Sequence, residues 1–322
     1  MIEITLPKAR IWSRIGPRAT YGQAVLECAS ERDDFYVLTA DLAQSSGLFR
    51  FKEVFPERFV NVGIAEQNML GIAAGLAKDG FHVFASSFAP FITMRACEQV
   101  RMDMGYMQLD ITTVGIGSGI GLAQQGNSHY GIEDVSVMRA IPGMTIVNPA
   151  DGVEIVKAVE ALCDYGKPAY LRLTGVPGFP MVHKGDIDFK IGKAITLREG
   201  DDIAIVAAGT MVSSALQVAE ILSRDEGIEA TVADMHTIKP IDTDVLDAQL
   251  DKKLVVTLEE ATIVGGLGGA VAEYFALKKN KPAQLMLGIR DTFLHAGSYP
   301  FLLEQCRLTV PQIVSDIKAA MQ

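Results

Sequence analysis

The run 58–101, RFVNVGIAEQNMLGIAAGLAKDGFHVFASSFAPFITMRACEQVR, sets a carboxylate among small and aromatic residues. Glu66 follows a short apolar stretch and opens a helix-like segment containing Gly71, Ala73, Ala74 and Gly75. Phe84, Phe88 and Phe91 come next, at spacings of four and three, around an expected strand-to-helix turn. Burial among apolar and aromatic groups disfavours the ionised form of a carboxyl. A carboxyl placed that way can donate or share a proton, which is general-acid chemistry. The same spacing also fits a plainer reading, a first-turn acid favoured by the helix dipole beside core phenylalanines. The small residues let that helix pack closely on another.

Other chemistries find less support. The stretches GIGSGIGLAQQG (115–126) and VGGLGG (264–269) are rich in glycine, but neither contains G-x-G-x-x-G, and the chain has no G-x-x-x-x-G-K-[ST]. A nicotinamide cofactor is therefore not expected, and the glycines serve turns and close backbone approach. Cys28, Cys97, Cys163 and Cys306 are scattered, with no C-x-x-C and no paired His. That argues against a zinc site or a disulfide framework and for structural thiols in a reducing, cytoplasmic setting. No metal ligand is expected from this chain. Twenty-nine Lys+Arg against 39 Asp+Glu give a net charge of −10, and the longest basic cluster is Lys278-Lys279. A nucleic-acid partner is not expected. No uncharged apolar run reaches the roughly 18 residues of a membrane span, and the N-terminus lacks the apolar core of a secretory signal. A soluble chain is expected.

The elements that must position Glu66 alternate in kind. Strand-like runs at 35–41, 81–87, 109–116, 144–150 and 169–173 are separated by helix-like runs at 21–32, 65–79, 91–104 and 151–166. Continuous apolar strands between helices read as a mostly parallel sheet covered on both faces. The stretch TGVPGFPMVHKGDIDFK (174–190) has two prolines, three glycines and no helical period, so it reads as a linker. Alternation resumes with strands at 202–209, 229–236, 253–260 and 283–289 and helices at 211–223 and 267–277. Thr309 is placed to cap a last helix, with Pro311 in its first turn. The expected architecture is α/β in two domains, 1–175 and 191–322, joined by a linker at 176–190. A chain of 322 residues accommodates two domains of ordinary size.

GIAEQNMLGIAAGLA followed by FASSFAPF resembles the pyrimidine-binding domain of transketolases and of deoxyxylulose-phosphate synthase. TADLAQSSG (39–47), GNSHYGIEDVSVMRAIPGMTIVNPADGVE (126–154), HTIKPID (236–242) and EEATIVGGLGG (259–269) agree with it, so the resemblance spans essentially the whole chain. It implies a thiamine-diphosphate pyrimidine-binding fold followed by a transketolase C-terminal domain. The family holds the diphosphate and Mg²⁺ through G-D-G and a later Asn, and this chain contains no G-D-G. The resemblance therefore implies the C-terminal subunit of a split transketolase, whose N-terminal partner brings the diphosphate and Mg²⁺ site, with self-association into an α₂β₂ assembly.

Carried over by position, the resemblance gives Glu66 a hydrogen bond to N1′ of the cofactor's aminopyrimidine, favouring the imino form that takes the thiazolium C2 proton. Phe91 matches the aromatic stacked on that ring, Phe88 lines the same pocket, and Asp41 approaches the cofactor. Met94 stands where transketolases usually carry Tyr. Arg18, Ser45 and Arg172 match positions that hold a sugar phosphate, a role suited to arginine. His129 matches a histidine near the sugar. Gly117 replaces a phosphate-contacting His, and Gln125 replaces an Asp that reads a sugar hydroxyl. An amide in place of an acceptor-only carboxylate changes which hydroxyl pattern is satisfied, so a non-standard ketose or aldose is expected. Two other readings keep this fold: the beta subunit of a 2-oxo acid dehydrogenase decarboxylase, and a non-catalytic module. The G-I-A-E-Q-N and HTIKPID segments resemble transketolase more closely.

Overall fold

In the computed structural model the chain is described over residues 2–322. Seven strands in the first half and hinge region are β1 (Phe35–Thr39), β2 (Phe59–Asn61), β3 (His82–Phe88), β4 (Ile111–Ser118), β5 (Thr145–Val147), β6 (Ala169–Thr174) and β7 (Ile195–Arg198). Five more follow: β8 (Ile203–Ala207), β9 (Ala230–Asp234), β10 (Thr237–Lys239), β11 (Leu254–Thr262) and β12 (Ala283–Ile289). They form two sheets, in the orders β10-β5-β6-β4-β3-β1-β2 and β12-β11-β8-β9-β7. Every pairing is parallel except β10 with β5 and β7 with β9.

Strand alternation divides the core. Phe35, Val37, Phe84 and Leu171 join one apolar cluster with the helices Pro17–Ser30 and Gly152–Cys163. Their neighbours Leu38, Val83, Ala85 and Tyr170 face the other way, onto the helix Glu66–Lys78. That second cluster continues without a break into Ala204, Val206, Ala233 and Val255 of the other sheet. The two halves thus share one core, as period-2 side-chain alternation in doubly covered sheets allows.

Three features depart from the sequence reading. The segment 91–104 is not a plain α-helix: π-helical turns at Phe91–Arg95 and Val100–Tyr106 flank a short α-turn, Cys97–Gln99. The strand β10, not assigned from the sequence, leaves the second half to cap the edge of the first sheet, pairing Thr237 with Val147 and Lys239 with Ile146. The stretch 176–190 carries no helix or strand, yet it is packed: Phe179 and His183 are buried, and Asp151 accepts from the backbone N–H of Val182 and His183 at 2.8 and 2.7 Å. Thr309 caps the helix Val310–Ala320 as expected in position, although its hydroxyl bonds Gln312 Oε1 and not the backbone.

Strand order reverses direction between β1 and β3, since β2 lies on one side of β1 and β3 on the other. In open α/β sheets the crevice outside the carboxyl ends at such a point is where ligands bind. Asp41 follows β1, Glu66 follows β2, and Ser87 and Phe88 end β3. The fold therefore delivers these candidates to one edge.

Candidate active site

Glu66 is the first residue of its helix and is 2% exposed. Its Oε1 accepts from Ser87 Oγ at 3.0 Å, and its Oε2 accepts from an Arg95 guanidinium nitrogen at 2.7 Å. The carboxylate is buried, as the sequence indicated, but it is not the isolated acid in apolar surroundings that the spacing implied. Burial of a charge is tolerated where a hydrogen-bonded counter-charge meets it. Arg95 supplies that charge from the first π-helical turn, and its Cζ also lies 3.9 Å from the centre of the Phe91 ring. Phe91 and Arg95 are four residues apart on one helical face, so ring and guanidinium stack as a unit.

Phe88 and Phe91 meet edge to face with centroids 5.9 Å apart. His129, from the loop after β4, closes the triangle at 5.7 Å from Phe88 and 5.3 Å from Phe91. Its Nδ1 is 3.0 Å from Ser128 Oγ, which fixes the ring's orientation. Met94 is exposed beside Arg95, and Ile64, two residues before Glu66, is 79% exposed. The carboxylate and the aromatic triangle thus sit under an open apolar rim.

Asp41 takes a left-handed backbone, φ 60°, which a non-glycine residue adopts only when held there. Asn61 holds it, donating from Nδ2 to Asp41 Oδ1 at 3.1 Å and accepting from the Asp41 N–H at 3.0 Å. The same Asn61 oxygen accepts from Gly63 N, in the turn leading to Glu66. One side chain therefore ties the exits of β1 and β2.

Arg18 and Ser45 also come together, Arg18 donating to the Ser45 carbonyl at 3.4 Å. A close crossing makes this possible: a Cβ on Gly22 would lie 1.9 Å from the Gly47 carbonyl oxygen. Gln125 is exposed at the end of the turn Ala123–Gln125, four residues ahead of His129. Gly117 sits at a bulge of β4 with φ 65°, and a Cβ there would meet Leu122 Cγ at 2.6 Å. The backbone and Leu122 together explain why a histidine is not simply interchangeable at this position.

Arg172, which the resemblance gives a sugar-phosphate role, is fully buried on β6. Its Nε donates to Asp134 at 2.8 Å, and its Nη2 donates to the carbonyls of Gly131 and Glu260 at 3.0 and 2.9 Å. It joins the first sheet to β11 of the second. An arginine in the apolar run AYLRL signals a buried partner as readily as a ligand, and here the partner is Asp134.

Arg95, Ser87 and Asn61 were missed by sequence reasoning. Arg95 carried one usable signal, its i+4 spacing from Phe91; Ser87 and Asn61 carried none beyond lying at strand ends.

Residues 14–175 match the transketolase pyrimidine binding domain, and residues 192–313 match the transketolase C-terminal domain. The chain is 41% identical over 299 residues to the 6-deoxy-6-sulfo-D-fructose transketolase subunit SqwH of Clostridium sp. (strain MSTE9), covering 92% of each. It is 37% identical over 288 residues to one of the subunits of the apulose-4-phosphate transketolase of Phocaeicola vulgatus, covering 88% of this chain and 91% of that one. A solved structure described as a split gene transketolase, inactive beta4 tetramer, superposes with a TM-score of 0.85 at 38% identity, covering 95% of this chain and 98% of that one. The chain belongs to the transketolase family, as a C-terminal subunit of the split type that carries the pyrimidine-binding and C-terminal domains.

Proposed function

We propose that this chain supplies the aminopyrimidine half of a thiamine diphosphate site and, with an N-terminal partner subunit, transfers a two-carbon ketol unit from a ketose, probed first as its phosphate ester, to an aldose. The observation that carries this reading is the stacking of Arg95 on Phe91 while it hydrogen-bonds Glu66. A flat, nitrogen-bearing group already fits between that ring and that carboxylate. An aminopyrimidine has the same shape and presents a ring nitrogen to the same oxygen, so the residues present fit the cofactor.

Glu66 would hold the proton at Oε2 that the cofactor's ring nitrogen needs, and Ser87 fixes Oε1 and thereby the plane of the carboxyl. Phe91 and Phe88 hold the ring, and His129 faces both from the sugar side. Bound thiamine diphosphate supplies the electron sink on which a carbon–carbon bond is broken and remade. Arg18, Ser45 and Gln125 line the approach to that point, and Asp41 borders the cofactor.

The other end of the cofactor needs oxygen ligands for Mg²⁺ and donors for phosphate. Among the described residues, the one converging set of three metal-type side chains is Glu154, His183 and Asp234, all buried and sharing no residue with the aromatic face. We therefore assign the diphosphate and Mg²⁺ to the partner subunit, in an α₂β₂ enzyme whose partner covers the rim of Ile64 and Met94. The description of the related split-gene structure as an inactive beta4 tetramer is in keeping with that need. Gly117 and Gln125 point to a sugar outside the common pentose phosphates, and the printed substrates of the two relatives are likewise uncommon sugars.

The test is reconstitution. The chain is co-purified with its partner, loaded with thiamine diphosphate and Mg²⁺, and assayed for ketol transfer across ketose and aldose pairs. Transfer that requires both subunits supports the reading. Release of CO₂ from a 2-oxo acid, with no ketol transfer, overturns it.

A further inference from the structure

Away from the aromatic face, three segments converge on a buried polar group. Glu154 comes from the first turn of the helix Gly152–Cys163, His183 from the stretch between the two halves, and Asp234 from the end of β9. Glu154 and Asp234 are 0% exposed and His183 is 7% exposed. His183 Nε2 lies 3.3 Å from Glu154 Oε1 and 3.7 Å from Asp234 Oδ2. The contact with Glu154 lacks hydrogen-bond geometry, and Asp234 Oδ2 lies beyond hydrogen-bond reach. Glu154 Oε1, His183 Nε2 and both oxygens of Asp234 have no hydrogen-bond partner. Buried polar groups left in that state are rare, because each forfeits its hydration without return.

We infer that Glu154, His183 and Asp234 form a binding site for one divalent cation of the zinc class, which pins the two halves of the chain together. Zinc bound by nitrogen and carboxylate oxygen at about 2.0–2.1 Å holds tetrahedral donors roughly 3.3–3.4 Å apart. The observed donor spacings bracket that value, and all three donors lie within 4.8 Å of one another. One imidazole with two carboxylates is a borderline N/O set, which suits zinc and excludes softer, thiolate-selecting ions.

The surroundings are built to hold these ligands. Glu154 Oε2 accepts from Ala150 N at 2.7 Å, which aims Oε1 inward. Asp151 caps the helix through Val153 N and Glu154 N and, with its other oxygen, fixes the backbone of His183. Supports of this kind around metal ligands set their orientation. A further buried nitrogen without a partner, His236 Nε2, follows two residues after Asp234, its ring stacked 4.1 Å from Phe189.

This inference is independent of the cofactor reading and is tested on the purified full chain without cofactor. The chain, made without a metal-chelating tag, is stripped with dipicolinate, incubated with excess zinc chloride and gel-filtered. Zinc content and melting temperature are then measured. About one retained zinc per chain, with a midpoint raised on the order of 5 °C over the stripped chain, is expected. His183→Asn should retain no zinc and show no zinc-dependent shift. A wild-type chain that retains none and melts unchanged overturns the proposal, as does zinc held equally by His183→Asn. If that variant does not fold, X-ray absorption at the zinc edge of the wild-type chain decides. Nitrogen and oxygen scatterers alone support the site, and a sulfur scatterer overturns it.

Discussion

Arg95 donates to the buried carboxylate of Glu66 at 2.7 Å. Glu66 is 2% exposed and cannot turn to water, whereas the Arg95 side chain is 44% exposed and can. Because Arg95 also covers Phe91, it holds the space that a ring must enter to be read by both residues. On the proposed reading, the guanidinium is a competitor that would have to leave for the cofactor ring to enter.

Removing the competitor should help the cofactor. A partly exposed ion pair contributes about 0.2–1 kcal/mol, so Arg95→Ala should tighten thiamine diphosphate binding by roughly 1.4- to fivefold in the assembled enzyme. Equilibrium titration of both proteins measures the ratio. Weaker binding by the variant would mean that the guanidinium stays and holds the ring itself.

Phe91 gives the complementary case. Stacking contributes about 0.5–1.5 kcal/mol beyond area burial, so Phe91→Ala should weaken cofactor affinity by roughly two- to tenfold. The same titration reads it. Unchanged affinity would return Phe91 to an ordinary core role beside Phe88 and His129.

Arg172 separates two accounts of one residue. Arg172→Met leaves Asp134 buried without its counter-charge, so unfolding free energy should fall by about 3–5 kcal/mol. Urea denaturation measures this. A phosphate-binding arginine would raise KM and leave the denaturation midpoint where it was.

What could be read from the residues follows the range of the interaction. Glu66, Phe88 and Phe91 lie on consecutive elements, the helix after β2, the end of β3 and the turn that follows it, and the structure places Glu66 beside Phe91 through their shared contact with Arg95. The parallel strands were legible because burial on both faces leaves continuous apolar runs such as FYVLT and ITTVGIGS. The strand TIK at 237–239 was not, since three residues carry no period and its partner is 90 residues earlier. The meeting of Glu154, His183 and Asp234 likewise depends on how the halves dock, which no local pattern encodes. The burial of Arg172 was likewise not legible, because its contacts with Asp134 and Glu260 are made across elements far apart in sequence.

Glu259 makes the stability of the second half depend on pH. Burial raises its carboxyl to about 7 from an ordinary 4.5, although Gly268 and Leu267 N–H groups at the next helix pull it down. A folded-state value above the unfolded one means that this group's contribution is full below about pH 4.5 and is lost as pH rises through about 7. Glu259→Gln should therefore flatten the decline in stability between pH 5 and 8, as read by denaturation at about those two pH values. An unchanged slope would show that Glu259 does not titrate in that window.

The most direct test of the whole account is turnover by the reconstituted enzyme carrying Glu66→Gln. The amide keeps the size and the Ser87 contact but cannot hold the carboxyl's proton opposite the ring. Loss of general acid–base action predicts a fall in kcat of roughly 10²–10⁴-fold, with partner assembly and cofactor binding retained. A variant that assembles, binds thiamine diphosphate and transfers ketol units at near the wild-type rate would contradict the role of Glu66 and the mechanism built on it.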